Sequence, residues 1–328
     1  MSILEVEHLR VEFATENGPV IAVKDVSFTL ERGEILALVG ESGCGKSVTA
    51  MSIPRLLGDS NMTMGGSIRL NGVDVASLSE KRMQEIRGKE ISFVFQEPMT
   101  SLNPAYTVGK QVAETIRSHE RVSRRAALAR AAELLELVEI PDPHRRIKSF
   151  PHELSGGMRQ RVMIAIAVAC NPKVLIADEP TSALDVTIQA GVLDVLRRLR
   201  DMLGTSVILI THDLGVVADI ADRVVIMYSG RSVEESPTEG IFSRPQHPYT
   251  VGLLGALPGR AIIQESGRRR LTEIPGLVPP PTSDPDECQF AVRCHRATSM
   301  CIEKRPIFTE IEPKHIVACY HPGTGDRQ

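Results

Sequence analysis

Residues 40–50, GESGCGKSVTA, constrain the fold of this chain more than any other segment. They follow the apolar run ILALV of residues 35–39, and the spacing Gly40-x-x-x-x-Gly45-Lys46-Ser47 matches the phosphate-binding P-loop pattern. The pattern needs a buried strand before the loop and a helix after it, because glycines let successive N–H groups point at phosphate oxygens and the helix N-terminus adds positive charge. The sequence therefore predicts an α/β fold that binds a nucleotide.

The P-loop and a second segment supply candidate groups for phosphate chemistry. Lys46 would neutralise the β- and γ-phosphates, and Ser47 would offer its hydroxyl to Mg²⁺. Asp178 and Glu179 end the apolar run VLIA of residues 174–177. Asp178 would face the Mg²⁺, whereas Glu179 would orient the attacking water or accept its proton. The alternative of a glycine-rich turn without a ligand is disfavoured by the flanking strand and helix. The loop residues predicted to line the nucleotide are Gly40, Ser42, Gly43, Cys44, Gly45, Lys46, Ser47 and Val48.

Composition narrows the class of protein. The 328 residues predict one large domain and a smaller appendage. A formal net charge of −3 and an aromatic content of 4% give no support to nucleic-acid binding by a basic face. No apolar run approaches the length of a membrane span, and the N-terminus lacks the pattern of a secretory signal. We therefore expect a cytosolic protein with reduced thiols.

The hydrophobic pattern predicts how the chain is organised. Alternating runs at residues 4–13 and 20–30 indicate antiparallel strands, whereas continuous apolar runs indicate buried parallel strands. Helical spacing alternates with these runs, so we expect a doubly wound α/β core. A proline-rich linker, IPGLVPPPTSDPDE, precedes four of the six cysteines. The predicted parallel strands are residues 35–39, 174–178 and 207–210, and the predicted helices include residues 124–138, 159–170 and 187–203.

A second glycine-bearing helix start decides among the classes of P-loop protein. The segment LSGGM, residues 154–158, carries no lysine of its own, so it is suited to a phosphate that another element holds. Together with the strand-tip carboxylates, it resembles the signature of the ATP-binding cassette (ABC) ATPases, and the resemblance spans about residues 4–235. In that family the signature closes over the γ-phosphate on a partner cassette. The resemblance therefore implies that Ser155, Gly156 and Gly157 contact nucleotide in trans.

The same resemblance assigns roles to further residues. Gln96, in FVFQEP, would be the Q-loop residue that senses Mg²⁺ and water; Asp185 ends the D-loop sequence SALD; and His212, in LITHD, would contact the γ-phosphate. Phe13 is placed to stack on adenine, although an aromatic residue on an edge strand can equally belong to the core. The implied catalytic residues are Glu179, His212 and Gln96, and the implied Mg²⁺ ligands are Ser47, Gln96 and Asp178.

The resemblance also implies a domain plan. The expected ABC domain covers residues 1–235 and combines a mixed sheet, an antiparallel β subdomain and a helical subdomain inserted at about residues 98–165. In the family, a face of the helical subdomain receives a coupling helix from the membrane subunit. Residues 236–328 would form a small Cys-rich extension.

The tail narrows the family. HPYT at residues 247–250, the proline-rich linker and CQFAVRC at residues 288–294 resemble the ATP-binding subunits of bacterial oligopeptide and dipeptide importers. The implied function is ATP hydrolysis that powers peptide import at the cytoplasmic face of the inner membrane. The implied partners are two permease subunits, a second and similar ATP-binding subunit in a heterodimer, and, indirectly, an extracytoplasmic substrate-binding protein. The alternatives are an importer of nickel, glutathione or opine-like solutes, and a soluble ABC ATPase of DNA repair or translation.

Four cysteines follow the linker with the spacing C-x5-C-x6-C-x17-C. Four thiolates within such a short segment suit either zinc or a [4Fe–4S] cluster, and the spacing alone does not choose between them. The resemblance to peptide-importer tails favours the cluster, with zinc and unligated thiols as the alternatives. We call Cys288, Cys294, Cys301 and Cys319 the C-terminal cysteines.

Overall fold

The structure is a computed structural model that describes residues 2–58, 61–97, 101–182, 184–257, 262–263, 269–270, 274–282 and 284–323. Its strands are β1 (Ser2–Thr15), β2 (Gly18–Glu31), β3 (Ile35–Val39), β4 (Met62–Leu70), β5 (Val73–Asp74), β6 (Ile91–Val94), β7 (Val174–Asp178), β8 (Ser206–Thr211), β9 (Arg223–Tyr228), β10 (Arg231–Pro237), β11 (Ile262–Ile263), β12 (Arg269–Arg270), β13 (Thr309–Glu312) and β14 (His315–Val317). Its helices are α1 (Lys46–Ser52), α2 (Glu80–Ile86), α3 (Val108–His119), α4 (Arg124–Leu137), α5 (Pro143–Arg146), α6 (Gly156–Ala167), α7 (Val186–Leu203), α8 (Leu214–Ile220), α9 (Thr238–Ser243), α10 (Pro248–Gly255) and α11 (Ser299–Glu303).

Within the described ranges, twelve strands form one mixed sheet. The main path is β5-β4-β1-β2-β10-β9-β3-β8-β7-β6, and β13 and β14 branch from β10. Strands β9, β3, β8, β7 and β6 run parallel to one another in that order, whereas β10 pairs antiparallel with β9. Strands β1, β2, β4 and β5 pair antiparallel, and a parallel contact of β2 with β10 joins the two parts. The predicted mixed sheet with an antiparallel part is confirmed.

Strand β3 is buried on both faces because its side chains alternate between hydrophobic clusters. Ile35 points into a cluster formed largely by α3, α4, α6 and α7. Leu36 and Leu38 belong to a second cluster with the antiparallel strands and α1. Ala37 and Val39 pack into a third cluster, which includes aromatic residues from the C-terminal part of the chain. The five-residue strand that leads into the P-loop is thus fixed from three directions.

The predicted helix at residues 159–170 is wrong in its boundaries. Helix α6 begins at Gly156, because the Ser155 side chain accepts a hydrogen bond from the backbone N–H of Met158 at 3.3 Å and caps the helix. The two glycines therefore form the first helical turn. The other two predicted helices agree with α4 and α7 to within about one residue, and Asp185 caps α7.

Gly157 is the point of closest approach between α6 and α7. A Cβ atom at this position would lie 2.2 Å from Cγ2 of Ile188, whereas one at Gly156 would meet nothing nearer than Leu184 Cδ2 at 3.9 Å. Gly157 is buried and Gly156 is exposed. Gly156 is therefore accessible at the surface, whereas Gly157 allows α6 to pack closely against α7.

A buried carboxylate on the sheet contacts two segments of the C-terminal part. Glu234 on β10 is 0% exposed and accepts hydrogen bonds from the backbone N–H groups of Gln246 and His247 at 2.8 and 2.9 Å. It also lies 2.7 Å from Nε2 of His315 on β14. The predicted boundary between residues 235 and 236 falls inside β10. The division into two domains stays a prediction, and residues 98–100 of the expected helical subdomain lie outside the described part of the chain.

The burial of His247 predicts how stability depends on pH. Burial lowers the pKa of His247 from 6.5 to about 4, against the opposing charge of Glu234. Its Nδ1 accepts a hydrogen bond from the backbone N–H of Tyr249, which requires an unprotonated nitrogen. The unfolded chain binds this proton more tightly than the folded chain does. The neutral, buried His247 therefore contributes on the order of 3 kcal/mol to the free energy of unfolding above about pH 6.5, and this contribution is lost as the pH falls toward 4.

We expect His247→Asn to flatten this slope, since Asn can keep the helix cap without titrating. Urea unfolding of the wild-type and variant chains between pH 4 and 7 measures the effect. Equal pH dependence in the two chains would contradict the assignment.

Candidate functional site

Four neighbouring parallel strands end at one edge of the sheet, and each carries a predicted motif beyond its tip. The P-loop follows β3, Glu179 follows β7, His212 follows β8, and Gln96 lies two residues beyond β6. Because the strands are adjacent in the order β3-β8-β7-β6, the motifs meet in space. This is the edge at which open α/β sheets bind ligands.

The P-loop adopts the backbone conformation that its glycines permit. Gly43 and Gly45 have φ of 79° and 97°, and a Cβ at Gly45 would lie 2.5 Å from the carbonyl oxygen of Ala22. Lys46 is 6% exposed, and its Nζ donates to the carbonyl oxygens of Gly40 at 2.8 Å and Glu41 at 3.0 Å. A positive charge therefore lies inside the curve of the loop, at the N-terminus of α1.

Ser47 and Asp178 come together as the sequence predicts. The Ser47 hydroxyl donates to Oδ1 of Asp178 at 3.1 Å. Burial raises the pKa of Asp178, while the hydrogen bond from Ser47 and the charge of Lys46 act in the opposite direction. A hydroxyl and a carboxylate beside the P-loop are the oxygen ligands that Mg²⁺ takes in nucleotide sites, so the residues present fit this ion.

Glu179 joins the other two predicted catalytic residues. Gln96 Nε2 donates to its Oε2 at 3.0 Å, and His212 Nδ1 lies 3.1 Å from its Oε1. The backbone of Glu179 has φ of 45°, and its N–H donates to the carbonyl oxygen of Ile210 at 2.9 Å. A non-glycine residue in this left-handed region is unusual and is often found at functional sites. The predicted third Mg²⁺ ligand, Gln96, thus contacts Glu179 through its amide.

The remaining predicted nucleotide contacts have structural roles within the single chain. Ser155 and Asp185 cap α6 and α7, and Asp185 Oδ1 accepts from the backbone N–H of Ile188 at 3.0 Å. Phe13 is half-buried against the cluster of the antiparallel strands, so both interpretations of it stay open. The contacts of these residues with nucleotide stay predictions, and residue 183 of the D-loop lies outside the described ranges.

The C-terminal cysteines line one small cavity. Burial raises the pKa of Cys319 to about 11. The backbone N–H of Arg296 donates to Cys294 Sγ at 3.4 Å, and that of His321 donates to Cys319 Sγ at 3.3 Å. Even so, among the residues that the structure describes, no group of three or more His, Cys, Asp and Glu side chains is arranged to hold a metal ion. The predicted metal ligation is not supported by this arrangement.

Arg293 contacts Glu41 of the P-loop, and no sequence motif singles out either residue. Arg293 forms a bidentate ion pair with Glu41, with distances of 2.7 and 3.1 Å. Glu41 occupies a variable position of the P-loop pattern, and Arg293 lies 252 residues later, between two cysteines. No local pattern in the sequence links the two residues.

Comparisons with known proteins identify the family of the chain. A family model described as ABC transporter matches residues 23–182, and one described as the C-terminal region of oligopeptide/dipeptide transporters matches residues 233–301. The chain is 50% identical to the oligopeptide transport ATP-binding protein OppD of Bacillus subtilis over 98% of its length and 89% of that protein. It is also 50% identical to a probable peptide ABC transporter ATP-binding protein of Sinorhizobium fredii, over 97% and 94% of the two chains.

A solved structure shares the fold. The ATP-binding cassette MJ0796, in a dimeric post-hydrolysis state bound to ADP and Pi, matches with a TM-score of 0.65 at 28% identity. The match covers 72% of this chain and 98% of that one. Among the described helices, none has the length and apolar character to cross a membrane. The chain belongs to the ATP-binding proteins of ABC transporters, and within them to the peptide-importer family.

Proposed function

We propose that this chain hydrolyses MgATP at the P-loop edge of its sheet and thereby powers peptide import through separate permease subunits. The observation that carries the proposal is the meeting of Lys46, the Ser47–Asp178 pair and the Glu179 cluster with Gln96 and His212 at the tips of four adjacent strands. The two relatives named above are 50% identical to this chain over nearly its whole length, and both are named as ATP-binding proteins of peptide transport. This supports peptides as the class of solute.

Each side chain has a defined role in this proposal. Lys46 would bind phosphate oxygens, and Ser47 and Asp178 would hold a Mg²⁺ ion, whose positive charge would offset that of the phosphates. Glu179 orients the attacking water and accepts its proton, because its carboxylate lies one residue beyond the Mg²⁺-side aspartate. Gln96 and His212 hold that carboxylate from two sides.

The first test separates binding from chemistry. We expect Glu179→Gln to lower ATP turnover of the assembled transporter by about 100-fold or more, because the amide cannot accept the proton. Its affinity for MgATP should stay close to that of the wild type. Lys46→Ala should instead weaken nucleotide binding. Equal turnover in Glu179→Gln and the parent complex would refute the role of Glu179.

Two cassettes are proposed to enclose each nucleotide. Ser155 and Gly156 are exposed at the N-terminus of α6, where backbone N–H groups are available to an anion. The structural relative MJ0796 is described as dimeric, which supports pairing. We propose a similar but distinct cassette as the partner, so that the signature residues of each chain act on the nucleotide of the other.

Gly156→Asp tests this arrangement better than a change at Gly157, which would also disturb the packing of α6 on α7. An aspartate in the first helical turn suits the helix dipole, so the fold should tolerate it. Its charge would repel a phosphate brought by the partner. We expect loss of turnover in the complete transporter and unchanged MgATP affinity in the isolated chain. Full activity of a monomer at saturating ATP, together with no effect of the substitution, would contradict the model.

The helical part of the fold carries a groove suited to the coupling helix of a permease. The groove has a volume of about 860 Å³, and exposed Tyr106 and Phe150 lie in its wall. The ammonium of Lys110 lies 3.4 Å from the centroid of the Tyr106 ring, and Arg117 and Lys148 add positive charge. We propose that two permease subunits dock through such grooves, with acidic residues facing these cations, and hold the chain at the cytoplasmic face of the membrane.

We propose further that the C-terminal cysteines ligate one [4Fe–4S] cluster, with zinc as the alternative. Their shared cavity and the N–H donors beside two of the sulfur atoms support this, since hydrogen bonds to sulfur are common around such clusters. A segment this small has little apolar core of its own, and a bound metal would help to hold it together.

Metal analysis of protein purified without oxygen tests the cysteine site. We expect about four iron and four sulfide per chain, a lower iron content in Cys301→Ser, and no change in Cys170→Ser, which lies in the nucleotide-binding part. Binding of ATP should survive in both variants. One zinc per chain without iron would refute the cluster and support the zinc site.

A further inference from the structure

The P-loop is tied to the segment between the first two C-terminal cysteines. Arg293 on this segment is buried, with 4% of its side chain exposed, and its guanidinium meets the carboxylate of Glu41. All five of its N–H donors are used. Besides the two bonds to Glu41, they reach the carbonyl oxygens of Pro275 and Ile274 and the hydroxyl of Tyr228. A guanidinium with every donor engaged is held in one orientation.

Glu41 also contacts Lys46, the lysine that we propose binds phosphate. Its carbonyl oxygen accepts from Lys46 Nζ at 3.0 Å, and its backbone N–H donates to the hydroxyl of Tyr249 at 2.9 Å. The carboxylate, the N–H and the carbonyl group of this one residue therefore face three different partners. Tyr249 and Arg293 both come from the part of the chain after β10, so that part fixes Glu41 from two sides.

A second connection runs from the same segment to the middle of the loop. Gln289 accepts a hydrogen bond from the hydroxyl of Ser229 at 2.7 Å. Gly230, which follows Ser229 in the chain, donates its N–H to the carbonyl oxygen of Cys44 at 3.0 Å. Between Gln289 and Arg293, the ring of Phe290 packs against Tyr228 and Tyr249, with centroids 5.2 and 5.5 Å apart. Residues 288–294 thus support the P-loop at its start, through Glu41, and at its centre, through the contact with residues 229 and 230.

We infer that Arg293 is a positioning residue for the P-loop, acting through Glu41, and that residues 288–294 thereby set the affinity of the chain for MgATP. The inference rests on the proposed binding of ATP by this loop. Coupling between two sites is reciprocal, so ATP binding must in turn stabilise residues 288–294. The cysteines that flank Arg293 place the proposed metal site next to this contact.

The first experiment measures MgATP affinity of the full-length chain by equilibrium dialysis, alongside thermal unfolding. We expect Arg293→Gln to weaken MgATP binding at least tenfold. Glu41 would lose its ion-pair partner, so the start of the P-loop would no longer be held in one position. The matched control is Arg244→Gln, since Arg244 makes a bidentate pair with Glu312, at 2.8 Å for each contact, away from the P-loop. The control should stay within about twofold of the wild type. Equal affinity in Arg293→Gln and the wild type would overturn the inference.

The second experiment measures hydrogen exchange, which needs no Arg293 variant, and adds a double-mutant cycle. Hydrogen exchange of the wild-type segment 288–294 should slow on addition of MgATP, and this protection should be lost in Glu41→Gln. A double-mutant cycle between Glu41→Gln and Arg293→Gln should be non-additive, with the double variant no weaker than the worse single one. Unchanged exchange, or strictly additive losses, would contradict the inference. If the wild type bound no ATP at all, the proposed function itself would fail; if only Lys46→Ala lost binding, the failure would be that of the Arg293 contact alone.

Discussion

The burial of Lys46 inside the P-loop depends on the position of the strand before it. Strand β3 is held on both faces, and its register aligns Val39 with Thr211, while Asp178 aligns with Ile210 on the other side of β8. This register sets the tips of the strands at one level. A slip of one residue would turn every side chain of β3 to the opposite face and separate the lysine from the carboxylates. The catalytic arrangement is therefore a consequence of strand register in a sheet whose centre is apolar.

Much of this arrangement could be predicted from the sequence, because its signals are local. The P-loop spacing, the carboxylates after an apolar run and the histidine after another apolar run each lie within a few residues of a predicted strand end. Parallel strands then bring such ends together. The sequence predicts too late a start for α6, because a glycine pair argues against helix, whereas the Ser155 cap outweighs that preference.

The contacts that escaped prediction join parts of the chain that are distant in sequence. Nothing in the P-loop pattern indicates that Glu41 needs a partner, and nothing in the spacing of the cysteines indicates that Arg293 points at a nucleotide loop. The antiparallel pairing of β14 with β10 is of the same kind. Such contacts arise because the C-terminal part packs against the sheet. A proline-rich segment is typical of a spacer between domains, so its composition does not predict this packing.

The central claim is that ATP hydrolysis at this site is coupled to the import of peptides. Its most direct test is ATP hydrolysis by the complete transporter in proteoliposomes, with permeases, the partner cassette and the substrate-binding protein, in the presence of different solutes. The account predicts that oligopeptides or dipeptides stimulate hydrolysis and accumulate inside, whereas nickel and glutathione do neither. Stimulation by nickel or glutathione alone, or full hydrolysis that ignores both the membrane subunits and the peptides, would contradict it.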